Sequence, residues 1–122
     1  MKKYKKCAEK LLDLVKENPT LPLVAMVDGE VCFGEEDGYW PGAVVVAQIE
    51  ELWQDDYTGR TWTHRDAEID PIDFIDNIEQ TEEVTKIREL SPADEESEAQ
   101  KFIGKLPWTK CIVIYIDTFE NA

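Results

Sequence analysis

Apolar residues in this chain recur in two rhythms, and each rhythm predicts its own kind of element. Over residues 2–17, Tyr4, Ala8, Leu11, Leu12 and Val15 return at helical spacing and form one continuous face, with the lysines mostly opposite. The helix is predicted to stop at "ENPT", because the residue before Pro19 disfavours the helical region. "LPLVAMV" (21–27) and "CIVIYI" (111–116) are apolar without alternation. Such runs suit strands buried on both faces, at the centre of a sheet.

Residues 43–53, "AVVVAQIEELW", fit two templates. As a helix, Val45, Ile49, Leu52 and Trp53 would share a face. As a strand, Val45, Ala47, Ile49 and Trp53 line one side, with Gln48 and Glu50 on the other. Three consecutive valines favour the strand, since β-branched side chains lose rotamer freedom in a helix. "DDYTGR" then turns the chain into a strand over "TWTHR" (61–65), and Trp53 pairs with Trp62. The glycine-punctuated, acidic segment 28–42 is predicted to be mostly loop.

Two further helices are expected. Over 71–80, Ile72, Ile75 and Ile78 recur every third residue, with Pro71 suited to the first turn. Over 91–107, Ser91 is placed as N-cap and Pro92 as first residue, while Asp94, Glu95 and Glu96 complement the helix dipole. Gly104 and Pro107 mark its end. The predicted order is helix, strand, strand, strand, helix, helix, strand. This is an α+β chain with a three- to four-stranded, mostly antiparallel sheet and about three helices, chiefly on one face. The length, 122 residues, suits a single domain spanning 1–122.

Charge sharpens the picture. The formal net charge of −14 is unevenly spread. Residues 1–16 hold six Lys against Glu9 and Asp13, a local +4; the rest holds seven Lys or Arg against 25 Asp or Glu, a local −18. Such a body repels nucleic acid and anionic lipid and draws basic surfaces towards it. Direct nucleic-acid binding is therefore not expected. No stretch approaches the roughly 20 apolar residues of a membrane span. The lysine-rich start lacks the apolar run of a signal peptide. Cys7, Cys32 and Cys111 are odd in number and widely spaced, which fits a reduced, cytoplasmic setting.

No catalytic signature accompanies these features. His64 is the only histidine, in "TWTHRD", with no nucleophile motif near it. One histidine and three scattered cysteines do not make a zinc site. Phosphate-binding glycine loops and the HExxH pattern are absent. No Lys or Arg beyond the N-terminal few follows an acid at the spacing common in metal nucleases. A magnesium site is conceivable only at Asp55 and Asp56 or within residues 66–83. The expectation is a non-enzymatic protein without metal or cofactor.

The strongest signal is "DAEIDPIDFIDNIEQTEE", residues 66–83, with eight carboxylates and no Lys or Arg. Asp66, Glu68 and Asp70 lead into it. On a continued helix Asp73, Asp76 and Glu83, with Glu79 beside them and Glu82 adjacent, form a stripe opposite the isoleucines. No basic residue lies between Arg65 and Lys86 to relieve the repulsion, whereas a surface built for solubility mixes both signs. Carboxylates at this spacing imitate phosphates along a nucleic-acid strand. Glu35, Glu36 and Asp37 extend the surface, and Trp40 is a candidate aromatic anchor.

"NPTLPLVAMV", "YWPG" and "LPWTKCIVIYI" together resemble a group of small acidic proteins carried by phages and integrative conjugative elements of Gram-positive bacteria. The resemblance touches residues 18–27, 39–42 and 106–116 and leaves the acidic band uncovered. It implies a shared fold and a mobile-element setting, in which small acidic proteins often act as anti-restriction or anti-CRISPR inhibitors. It carries over no catalytic residue. The functional expectation is an acidic inhibitor or interaction protein that meets a basic protein surface, such as the nucleic-acid-binding groove of a host defence protein. The alternatives are an immunity protein against a basic toxin and a structural or regulatory adaptor of a mobile element.

Overall fold

Three adjacent valines anchor β2, Gly42–Gln54, which is a strand, so the helical alternative for this segment fails. The computed structural model describes residues 2–28 and 42–118, with the side chains of 6–28 and 42–117. The loop expected over 28–42 falls mostly outside the described residues, as do Cys32, Glu35, Glu36, Asp37 and Trp40. In chain order the elements are α1 (Lys2–Glu17), β1 (Leu23–Val27), β2, β3 (Thr61–Thr63), α2 (His64–Ile69), α3 (Pro71–Asp76), α4 (Glu82–Arg88), α5 (Pro92–Lys105) and β4 (Thr109–Thr118).

The class is α+β, as the patterning predicts, with four strands in the order β1-β4-β2-β3. The sheet is mixed rather than mostly antiparallel. β2 and β3 form the expected hairpin with Trp53 opposite Trp62. β1 and β4 run parallel, from Leu23 opposite Ile112 to Val27 opposite Ile116. A parallel pair needs a long crossover, and nearly all of the chain between the two strands supplies it. Only one of the two apolar runs is central. Cys111, Ile112 and Val113 of β4 are buried, whereas β1 lies at the sheet's end and leaves Leu23 54% and Val27 45% exposed.

The described residues form five helices, of which three, α1, α4 and α5, have seven residues or more. Thr63 ends β3 because its hydroxyl accepts the Asp66 N–H at 3.1 Å and starts α2. His64 and Arg65 therefore open a helix instead of continuing a strand. The helix expected over 71–80 stops at Asp76, where Asn77 caps it, and Thr81 starts α4 by accepting the Val84 N–H at 3.2 Å. Ile78, beyond α3, is nonetheless buried.

The chain packs as two compact units, residues 1–50 with 110–122, and residues 51–109. In the first, the Cys7 thiol donates to the Val45 carbonyl at 3.2 Å, and Ala43, Ala47 and Cys111–Val113 are buried. In the second, Phe74 is fully buried at the centre of an apolar cluster. The Trp62 ring meets it edge-on at 4.9 Å and the Trp53 ring at 5.8 Å, the preferred arrangement for aromatic pairs. Val84, Ile87, Ala99 and Ile103 of α4 and α5 close the same cluster.

Cys111 yields a prediction. Burial pushes its thiol above the ordinary range, because a thiolate there would lose its water. The folded chain thus holds the Cys111 proton more tightly than the unfolded chain, so this contribution to stability is present below the ordinary thiol range and is lost as pH climbs through it. In the native protein, alkylation by iodoacetamide, mapped by mass spectrometry, should be far slower at Cys111 than at half-buried Cys7. The difference should vanish in denaturant. Equal native rates would contradict the buried position of β4.

Candidate interaction surface

Residues 66–83 do not form one charged stripe. They cover α2, α3, the link after α3 and the first turn of α4. A helix start leaves backbone N–H groups without partners and carries partial positive charge, so acids are favoured there. Three such starts follow one another in this band, and most of its carboxylates sit at them. Asp66 lies in the first turn of α2. Asp70 caps α3 by accepting the Asp73 N–H at 3.1 Å, and Asp73 lies in its first turn. Glu82 and Glu83 lie in the first turn of α4.

The band is also not left unrelieved. Bases from outside it reach back in space. Arg88 meets Asp76 at 3.0 Å and Lys105 meets Glu83 at 2.7 Å, while Lys86 meets Glu82 at 3.2 Å and His64 meets Glu68 at 2.9 Å. The three lysine and arginine pairs are exposed and contribute about 0–1 kcal/mol each at most. Their effect is to mix the signs that the linear sequence keeps apart. Asp66 and Glu79 differ from the rest: both are exposed, and neither side chain makes a polar contact among the described residues.

One carboxylate that belongs to no stripe matters more to the structure. Asp55 is 2% exposed. Its Oδ2 accepts from the Thr58 hydroxyl at 2.8 Å and from the Glu79 N–H at 3.0 Å, and its Oδ1 accepts from the Tyr57 N–H at 3.3 Å. Both oxygens are thus engaged by protein donors. The same residue frames the hairpin turn: its carbonyl accepts from Gly59 at 2.7 Å and its N–H donates to Arg60 at 2.9 Å. Gly59 has a φ of +76°, a conformation that favours glycine.

His64 is held, not poised for attack. Its ring stacks on Trp108 with centroids 4.6 Å apart and planes 16° from parallel. Nδ1 lies 3.5 Å from a Glu51 carboxylate oxygen. Nε2 lies 2.9 Å from a Glu68 carboxylate oxygen but off the N–H direction, so the contact is not an aligned hydrogen bond. Trp108 is fixed in turn, its indole N–H donating to the Ile103 carbonyl at 2.8 Å. The neighbours of His64 are two carboxylates and an indole, and no nucleophile is among these contacts. Among the described residues no group of three or more His, Cys, Asp or Glu side chains is placed to hold a metal ion, and no helix is long and apolar enough to cross a membrane.

What the geometry leaves available is an acidic surface on residues 51–109, which carry 16 Asp or Glu against six Lys or Arg, a net −10. The structural duties within it can be separated from the idle charges by stability. Replacing the cap, Asp70→Ala, should lower urea-unfolding stability by about 0.5–2 kcal/mol. Glu79→Ala should stay within about 0.5 kcal/mol of the wild type. Equal losses at the two positions would refute the division. Comparison of the chain with family models, with curated proteins and with solved structures returned no match, so the surface is interpreted from its chemistry alone.

Proposed function

We propose that this protein is a non-enzymatic acidic inhibitor whose residues 51–109 bind a basic protein surface, the nucleic-acid-binding groove of a defence protein in the host of a mobile element. The observation that carries this reading is the pair Asp66 and Glu79, exposed carboxylates that the described structure engages in no contact, within a unit of net −10. A carboxylate that no described side chain engages is open to a partner. Glu82 joins them, since its pair with Lys86 is 86% exposed on the glutamate side and exchanges readily for a partner's arginine.

The mimicry here is of charge density, not of a phosphate-like register along one helix, because the band is broken into three short helices. Such a surface speeds encounter with a basic groove and loses its hold as salt rises.

The test uses a basic nucleic-acid-binding protein captured from host lysate on the immobilised chain and then purified. The wild type should displace duplex DNA from that protein, with affinity falling steeply between about 0.05 and 0.5 M salt. The variant Asp66→Asn, Glu79→Gln, Glu82→Gln should bind about tenfold more weakly at the lower salt, about 1.4 kcal/mol, with an unchanged circular dichroism spectrum. Equal binding by both chains, insensitive to salt, would remove the proposal.

A further inference from the structure

Strand β1 ends the sheet, and its ladder to β4 decides which backbone groups face outward. The Ile112 N–H donates to the Pro22 carbonyl at 2.8 Å, and the Asp28 N–H donates to the Ile116 carbonyl at 2.9 Å. With Leu23 opposite Ile112, this parallel ladder engages the N–H and C=O groups of Val24 and Met26. Alternation then turns those of Leu23, Ala25 and Val27 away from β4. Among the described residues no hydrogen bond reaches these outward groups. The same three residues have the exposed side chains of the strand, whereas Val24 and Met26 are half-buried.

Such an edge is a template for one more strand, and proteins commonly blunt it with lysine, proline, a bulge or extreme shortness. β3, at the other end of the strand order, has three residues. β1 has five, Leu-Val-Ala-Met-Val, without a charge or a proline among them. Residues 18–27 carry no charged side chain in a chain whose formal net charge is −14. This edge therefore has nothing to attract the basic surface that residues 51–109 would bind. The compact unit that contains it holds seven Lys or Arg against 11 Asp or Glu, a net −4, so two copies meeting here repel one another less than through the other unit.

We infer that β1 pairs antiparallel with β1 of a second copy of this chain, about a two-fold axis at Ala25. In that register Ala25 lies opposite its counterpart and Leu23 opposite Val27 of the second copy, each pair exchanging both backbone bonds. Directly opposite residues share a face, so Leu23 and Val27 cover one another's exposed surface. Alanine at the axis, with a larger apolar residue two positions away on either side, makes the strand complementary to itself. Asp28 falls opposite Pro22, so no two charges meet along the paired strands. The contact is isologous and closes at two copies. It buries well under the roughly 1,200 Å² of a stable interface, so the association is weak and concentration-dependent. It does not rest on the proposed inhibitory role, which uses other residues and a foreign partner.

Sedimentation velocity on the whole chain, with amide exchange followed by NMR, tests it. The weight-average mass should rise with concentration towards twice the monomer mass and stop there. The rise should be larger at about 1 M salt, where charges act over about 3 Å, than at about 0.01 M, where they act over about 30 Å, because two acidic copies repel. This is the reverse of the salt response expected with a basic partner. The amides of Leu23, Ala25 and Val27 should exchange fast in the dilute monomer and slow down on association. Ala25→Pro removes the outward N–H at the axis and leaves the bonds to β4, so it should fold and stay monomeric. Leu23→Lys, Val27→Lys sets like charges opposite one another and should also stay monomeric. Leu23→Lys, Val27→Glu sets opposite charges together in the antiparallel register and should dimerise. Circular dichroism checks the fold of each variant. A wild type that stays monomeric at every concentration would leave the edge to a foreign strand and overturn the inference. Outward amides already protected in the dilute monomer, or an Ala25→Pro chain that associates as the wild type does, would overturn it as well.

Discussion

The acidic unit depends on a carboxylate that water does not reach. Asp55 ends the first strand of the hairpin, and its side chain binds both the hairpin turn and the backbone of Glu79, 24 residues further on. A buried carboxylate is costly unless hydrogen bonds replace its water, and three donors do so here. The bond to Glu79 joins the turn of the sheet to the link between α3 and α4. That junction sets where α3 stops and α4 begins, and hence where the charges of both helices emerge. Phe74 and its ring of tryptophans fill the space beneath.

From this arrangement the density of negative charge gains a mechanical explanation. Short helices are poor at sustaining themselves and rely on caps and core contacts. A chain that starts three of them within residues 64–82 needs acids or hydroxyls at each start, and Thr63, Asp70 and Thr81 fill the cap positions. Part of the acidity is therefore architecture. The proposed contact surface is smaller than the linear band: the side chains of Asp66 and Glu79 make no polar contact among the described residues, whereas those of Asp70, Asp73 and Asp76 each make one.

Elements marked by their own periodicity were legible in the sequence: the extent of α1, the hairpin with its Trp53–Trp62 pair, and α5; the apolar face read on α1 was not, since Ala8, Leu12 and Val15 are exposed. What escaped depended on distant residues. Nothing local in "LPLVAMV" distinguishes a central strand from the last strand of a sheet, or a parallel from an antiparallel partner. Helices α2 and α4 are too short for an apolar period, although Thr81 followed by Glu82 and Glu83 is the pattern of a helix start. The pairing of Asp76 with Arg88 and of Glu83 with Lys105 lies across the fold, so counting charges along the chain made the band look unrelieved. In "DDYTG" the propensity of Asp to bond the backbone two residues on pointed to the turn. That Asp55 also reaches Glu79 was not readable from any window.

Hydrogen exchange at the Glu79 amide, followed by NMR in the wild type and in Asp55→Ala, addresses this account most directly. With the carboxylate gone, the Glu79 N–H loses its acceptor and global stability falls by about 1–3 kcal/mol, the usual cost of leaving a buried donor unanswered. The account predicts that Glu79 exchanges slowly in the wild type and becomes one of the fastest amides of the α3–α4 link in the variant, while amides of β4 lose no more than the global change. A Glu79 amide equally protected in both proteins would contradict it.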